Sequence, residues 1–151
     1  MAVIVGTGPL VAAADLDDDA QDVVVDLLHD LPGPLLVPTP VLTEAEYLIA
    51  KLVGDRAARA LLVDVASGAF THSVLQDSDL ERAIAVMDSH PGLRLGLADA
   101  TVVAQAERLK IVTILTMDHR DFRRVRPSHV RAFELVPSEA DLARARPKRK
   151  R

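Results

Sequence analysis

The sequence predicts an α/β protein, a three-layer α/β/α sandwich built around a largely parallel sheet. Two observations carry this. Short, continuously apolar runs of three to six residues recur along the chain, and helical patterns with start and stop signals separate them. Buried parallel strands read as unbroken apolar runs rather than alternating ones. At 151 residues the chain fits one domain able to bury roughly two-thirds of its unfolded surface. With 49% hydrophobic but only 3% aromatic residues, the core has to be aliphatic.

Val3-Ile-Val5 is the first strand candidate. Thr7-Gly8-Pro9 follows at once, and Pro9 suits the first turn of a helix, where its missing N–H is not needed. Asp17-Asp-Asp19 opens a second helix running to about Leu31, with acids where the helix dipole favours them and an apolar face of Val24, Leu27, Leu28 and Leu31. Pro32-Gly33-Pro34 ends it. Leu35 to Val37 is the second strand. Thr39 as cap and Pro40 as first residue start a helix that reaches Val53 and stops at Gly54. Asp55 to Ser67 is helical, and Ala69 to Val74 is the third strand. Ser78-Asp-Leu-Glu81 has the form of a capping box for a helix fading at His90-Pro91-Gly92. Leu97 to Lys110 is helical, Ile111 to Thr116 a strand, and Ala132 to Val136 the last strand. Residues 1–137 therefore form one domain. Residues 138–151, rich in Arg and Lys, are expected to be a disordered basic tail.

The composition excludes several classes of chemistry. With no cysteine there are no disulfides, thiolate metal sites or cysteine nucleophiles, which fits a reducing, cytoplasmic setting. The apolar stretch from Met1 to Ala14 is too short to span a bilayer and has no basic residue before it, so no membrane association is expected. The net charge of -4 conceals a gradient. Residues 1–50 hold nine acids and no Lys or Arg, whereas residues 101–151 hold thirteen basic residues against six acids. Gly6-Thr-Gly8 lacks the third glycine of a dinucleotide fingerprint and the Gly-Lys-Ser/Thr ending of a P-loop. No serine or threonine sits in a nucleophile elbow.

In a parallel α/β sheet, ligands bind outside the carboxyl ends of the strands. Three acids belong at that rim: Glu44, one turn into the Pro40 helix; Asp99, at the start of the Leu97 helix; and Asp118, after the Ile111 strand. Carboxylates gathered without bases repel one another or draw in a cation. Oxygen-only ligands suit Mg²⁺ or Mn²⁺. Glu44 and Glu46 point about 200° apart on a helix, so only one of them faces the rim.

The order of these segments resembles a PIN domain, and among PIN domains a VapC-type toxin of a bacterial toxin–antitoxin pair. The resemblance runs from Val3 to about Val136. It is carried by Val3-Ile-Val-Gly-Thr-Gly-Pro-Leu10, by Glu44 after Pro38-Thr-Pro40, by Leu97-Ala-Asp-Ala100, and by Leu115-Thr-Met-Asp118 with Asp121-Phe122. It implies an endoribonuclease that cuts RNA phosphodiesters with metal-activated water, Mg²⁺ or Mn²⁺ being held by Glu44, Asp99 and Asp118. Asp121 is then an outer ligand or a cap, and Thr7 and Thr116 contact metal waters or form turns. It also implies a homodimer silenced by a VapB-type antitoxin, whose Arg would enter the acidic cleft.

Gly6 stands where the family's first metal-binding acid is expected. Three readings of it stand: an engineered substitution that disables a toxic nuclease, natural loss in a degenerate toxin, or compensation by another acid such as Asp15. The intact surroundings favour the first. The alternative function is a non-catalytic PIN module acting only as an antitoxin-binding, autoregulatory partner. A phosphate-receiving signalling domain is disfavoured, because the lysine it requires near the last strand does not appear directly after Ile111 to Thr116. His119, beside Asp118, is read as a surface residue or a phosphate contact. The five arginines between Arg120 and Arg131 are read as RNA contacts or as ordinary solvated charge.

Overall fold

In the computed structural model, residues 1–148 are described. Five strands form one sheet in the order β3-β2-β1-β4-β5, and every neighbouring pair is parallel. The strands are β1 (Val3–Val5), β2 (Leu35–Pro38), β3 (Thr71–Ser73), β4 (Thr113–Leu115) and β5 (Glu134–Val136). Helices flank the sheet, as the expected sandwich requires: α1 (Thr7–Ala14), α2 (Gln21–Asp30), α3 (Thr39–Leu52), α4 (Asp55–Ala66), α5 (Asp77–Ser89), α6 (Leu97–Leu109), α7 (His119–Arg124) and α8 (Glu139–Ala143).

β1 lies at the centre, with β2 on one side and β4 on the other, and all three of its residues are buried. Around it the aliphatic core is continuous: Ile4, Val37, Val41, Ala45, Val102, Val103, Ile114 and Leu115 are each fully buried. Helix α6 is buried nearly all round, from Ala98 through Glu107 apart from Asp99. Two ion pairs bolt it to its neighbour α5. Asp79, 1% exposed, accepts from Arg108 Nε at 2.7 Å and Nη2 at 3.0 Å, and Glu107 accepts from Arg82 Nε at 2.6 Å. Gly54 adopts φ +147°, a conformation few other residues tolerate, and so lets α3 stop and α4 start with no linker.

The structure moves several boundaries. The second helix begins at Gln21 rather than Asp17, because the Asp15 and Asp18 side chains accept the backbone N–H groups of Asp17 and Ala20 and form turns. The N-cap of α3 is Pro38; Thr39 is already helical, and its hydroxyl meets His72 Nε2 at 2.8 Å. The capping box of α5 is Gln76 with Asp79, two residues before the Ser78 and Glu81 pairing. β3 and β4 are three residues each, shorter than the apolar runs that suggested them. α7 and α8 were not anticipated. α8 falls inside the segment read as a disordered tail, where Ser138 and Asp141 form a capping box. Residues 149–151 of that tail lie outside the described residues. No helix among the described residues is long and apolar enough to cross a membrane.

Candidate active site

The carboxyl ends of β1 and β4 meet at the point where the strand order reverses. Gly6 caps α1 there, and its N–H donates to Leu115 O at 2.8 Å. Thr116 follows β4, and its hydroxyl accepts the Asp118 N–H at 3.0 Å, which turns the chain towards the rim. Asp118 caps α7 by accepting the Asp121 N–H at 3.2 Å. Asp99, in the first turn of α6, and Glu44, in the second turn of α3, come to the same rim from helices after other strands.

The result is a cavity of about 630 Å³ whose walls include Thr7, Asp18, Glu44, Asp99, Thr116 and Asp118, with no Lys or Arg among its lining residues. Its electrostatics are uncompensated. Burial raises the Asp99 carboxyl from 3.8 to about 6, with the charges of Asp118, Glu44 and Asp121 adding to the effect. Thr7 is 8% exposed, and its hydroxyl has no hydrogen-bond partner among the described residues. A hard cation with its waters would answer both features, by neutralising Asp99 and by offering the Thr7 hydroxyl a partner. Among the described residues, no three of His, Cys, Asp and Glu are close enough to hold an ion alone. A cation here would therefore lean on water for part of its shell, as Mg²⁺ commonly does.

The structure brings Glu44, Asp99 and Asp118 together and leaves Glu46 off the cavity wall. Asp121 lies near enough to influence Asp99, yet its N–H serves the α7 cap. At Gly6 a Cβ would stand 3.3 Å from Leu115 O and 3.9 Å from Thr116 Oγ1, tight enough to require a small shift of the β4 end. Asp15 is not among the residues lining the cavity. Asp18 does line it. The sequence reading passed over Asp18, because a run of three aspartates looked like the start of a helix. His119 belongs to a separate cavity with Phe133, Leu135 and Glu139. Arg123 pairs with Glu139 at 2.6 Å, and none of the five arginines between 120 and 131 lines the acidic cavity.

Comparisons with known proteins bear on the family and the fold. A family model described as PIN domain matches residues 3–127. The chain is 31% identical over 135 residues to "Ribonuclease VapC26" of Mycobacterium tuberculosis, covering 89% of this chain and 100% of the relative. Among solved structures, the VapC20 toxin of Mycobacterium tuberculosis, titled "Sarcin-Ricin loop cleaving toxin", superposes with a TM-score of 0.71 at 21% identity, covering 75% of this chain and 87% of its own. VapBC2 from Rickettsia felis, bound to a DNA fragment from its promoter, gives a TM-score of 0.65 at 17% identity, covering 89% of this chain and 98% of its own.

Proposed function

The chain belongs to the PIN-domain family, and from that premise we propose that it is a VapC-type endoribonuclease toxin dependent on Mg²⁺ or Mn²⁺ and weakened by Gly6. The observation that carries this reading is the uncompensated acidic cavity at the sheet's switch point, where Asp99 is held at about 6. Kinship with a ribonuclease over 89% of the chain supports the choice of RNA as substrate. A divalent cation bound there would polarise a phosphoryl oxygen and make water a stronger nucleophile. Asp99 and Asp118 would hold the cation, and Glu44 would orient water on its open side. Thr7 would fix a further water, and Asp121 would add negative charge without direct contact. Loss of a residue that only supports a metal ligand costs roughly 10–100-fold, and loss of a ligand itself more, so Gly6 leaves at most weak cleavage.

The partner is a VapB-type antitoxin, and the likeness to the VapBC2 assembly supports that choice. A homodimer in the cytoplasm completes the reading. Tyr47, Val74 and Ile84, exposed by 61%, 63% and 51%, supply apolar surface for it. One observation favours the second reading, a non-catalytic antitoxin-binding module: among the described residues, no three acids are gathered closely enough to hold an ion alone.

The test compares antitoxin-free protein with its Gly6→Asp variant on single-stranded RNA in Mg²⁺. The expected outcome is a gain of at least about 100-fold, abolished by EDTA and by adding Asp99→Asn. A folded Gly6→Asp variant that cuts no tested RNA would overturn the nuclease reading in favour of the binding module.

A further inference from the structure

The segment after β5 lies outside the family-matched residues 3–127, yet it is tied back onto the domain. Leu142 of α8 packs on the cluster of Ala12, Ala20 and Val24, beside Met117 of the acidic cavity. Beyond α8, Arg144, which pairs with Asp141 of α8, and Arg146 line a cleft of about 490 Å³ together with Asp22, Asp26 and Asp30 of α2. The Lys148 N–H donates to Asp19 Oδ1 at 2.7 Å, and Lys148 Nζ donates to Gln21 Oε1 at 2.9 Å and lies 3.5 Å from Asp22 Oδ1. Asp22, Asp26 and Asp30 follow helical spacing along α2, with Asp19 just before it; residues 1–50 contain no Lys or Arg, and His29 pairs with Asp30. An acidic stripe and a basic segment thus lie together, and Asp19, which accepts the Lys148 N–H, is the neighbour of Asp18, which lines the acidic cavity.

We propose that residues 144–148 are an RNA-contacting arm, which the acidic stripe of α2 holds sheathed while no RNA is bound. The proposal deepens the nuclease reading and rests on it for the identity of the polyanion. The physics is competition. Exposed ion pairs are each worth little and are screened by salt. A strand of RNA phosphates offers the same cations a denser row of negative charge and releases counterions as it binds. The sheath therefore suppresses indiscriminate RNA binding and yields only to a strand already lying at the acidic cavity.

Two measurements test this on the full chain. In the absence of RNA, hydrogen exchange should show the Lys148 amide protected at about 50 mM salt. That protection should be lost in Asp19→Ala/Asp22→Ala/Asp26→Ala and at about 0.5 M salt, while the Ile114 amide stays protected. Binding to a 2′-O-methylated, uncleavable oligouridylate should then strengthen about tenfold in that triple variant. The slope of log affinity on log salt should steepen by about 1.4, as two newly available cations, Arg146 and Lys148, require. Adding Arg144→Ala/Arg146→Ala/Lys148→Ala should cancel both gains. If the gain survives removal of the three cations, the acids act by general repulsion and the arm is refuted; an absence of any gain refutes it equally. Cleavage by Gly6→Asp reads the nuclease function separately, so either idea can fail while the other stands.

Discussion

Replacing Asp99 by asparagine should make the metal-free protein more stable at neutral pH, although it removes a residue central to the proposed activity. Burial, with the charges of Asp118, Glu44 and Asp121 added, lifts the Asp99 carboxyl from 3.8 to about 6. At pH 7 the group is ionised in both folded and unfolded chains, and the difference corresponds to a cost of about 3 kcal/mol to the folded state. Asparagine avoids that charge but still has to be buried, so a net gain of about 1–3 kcal/mol is expected, with Tm rising about 2–4 °C per kcal/mol for a chain of this size. The sign fixes the pH dependence. Between about pH 6 and pH 4 the folded protein holds a proton that the unfolded chain has released, so the unsubstituted protein gains stability as pH falls through that window. The advantage of Asp99→Asn should therefore shrink steadily from pH 7 and vanish near pH 4. Urea unfolding of both proteins in EDTA at pH 7, 5.5 and 4.2 measures it. A variant less stable than the parent at pH 7, or an advantage independent of pH, would refute the reasoning.

Two other substitutions separate scaffold from site. Asp79→Asn should destabilise by about 2–4 kcal/mol, since it breaks the buried bidentate pairing with Arg108 and the cap of α5 together. Hydrogen bonds from Arg108 hold the Asp79 carboxyl below its usual range against the opposing effect of burial, so that loss should be full above about pH 4 and fade as the acid limb is entered; thermal melts from pH 7 down to 3 read this directly. Thr7→Val should leave stability within about 0.5 kcal/mol of the parent, because the hydroxyl it deletes has no partner among the described residues. In the Gly6→Asp background the same change should lower RNA cleavage measurably, and an unchanged rate would remove Thr7 from the site.

What could be read from the sequence was what neighbouring residues decide among themselves. Val3–Val5, Pro40 after an apolar run and Gly54 between two helices each carry a local signal strong enough to place an element. The rim acids were legible because each sits at a strand end or in an early helical turn, and topology alone gathers such positions. Asp18 was not, since its place at the cavity depends on α2 starting at Gln21 rather than at Asp17, where the aspartate run suggests. The caps of α7 and α8 were present as Asp118 with Asp121 and Ser138 with Asp141, but helices of six and five residues leave no periodic pattern to confirm them. The basic segment near residue 148 was least legible of all. Its partner Asp19 is 129 residues away, and a charge run shows nothing of what it will meet once the chain folds.

The central position of β1 also sets a timetable. Val3 pairs with Thr113, Ile4 with Ile114 and Val5 with Leu115, so β1 is completed by a strand made 110 residues later. At about 5–20 residues per second, a ribosome needs roughly 5–20 s to span that interval. Until then the β4 flank of β1 has no neighbour, and Asp118 does not yet exist beside Glu44 and Asp99. The three acids can therefore come together only after β4 has been made and has paired with β1.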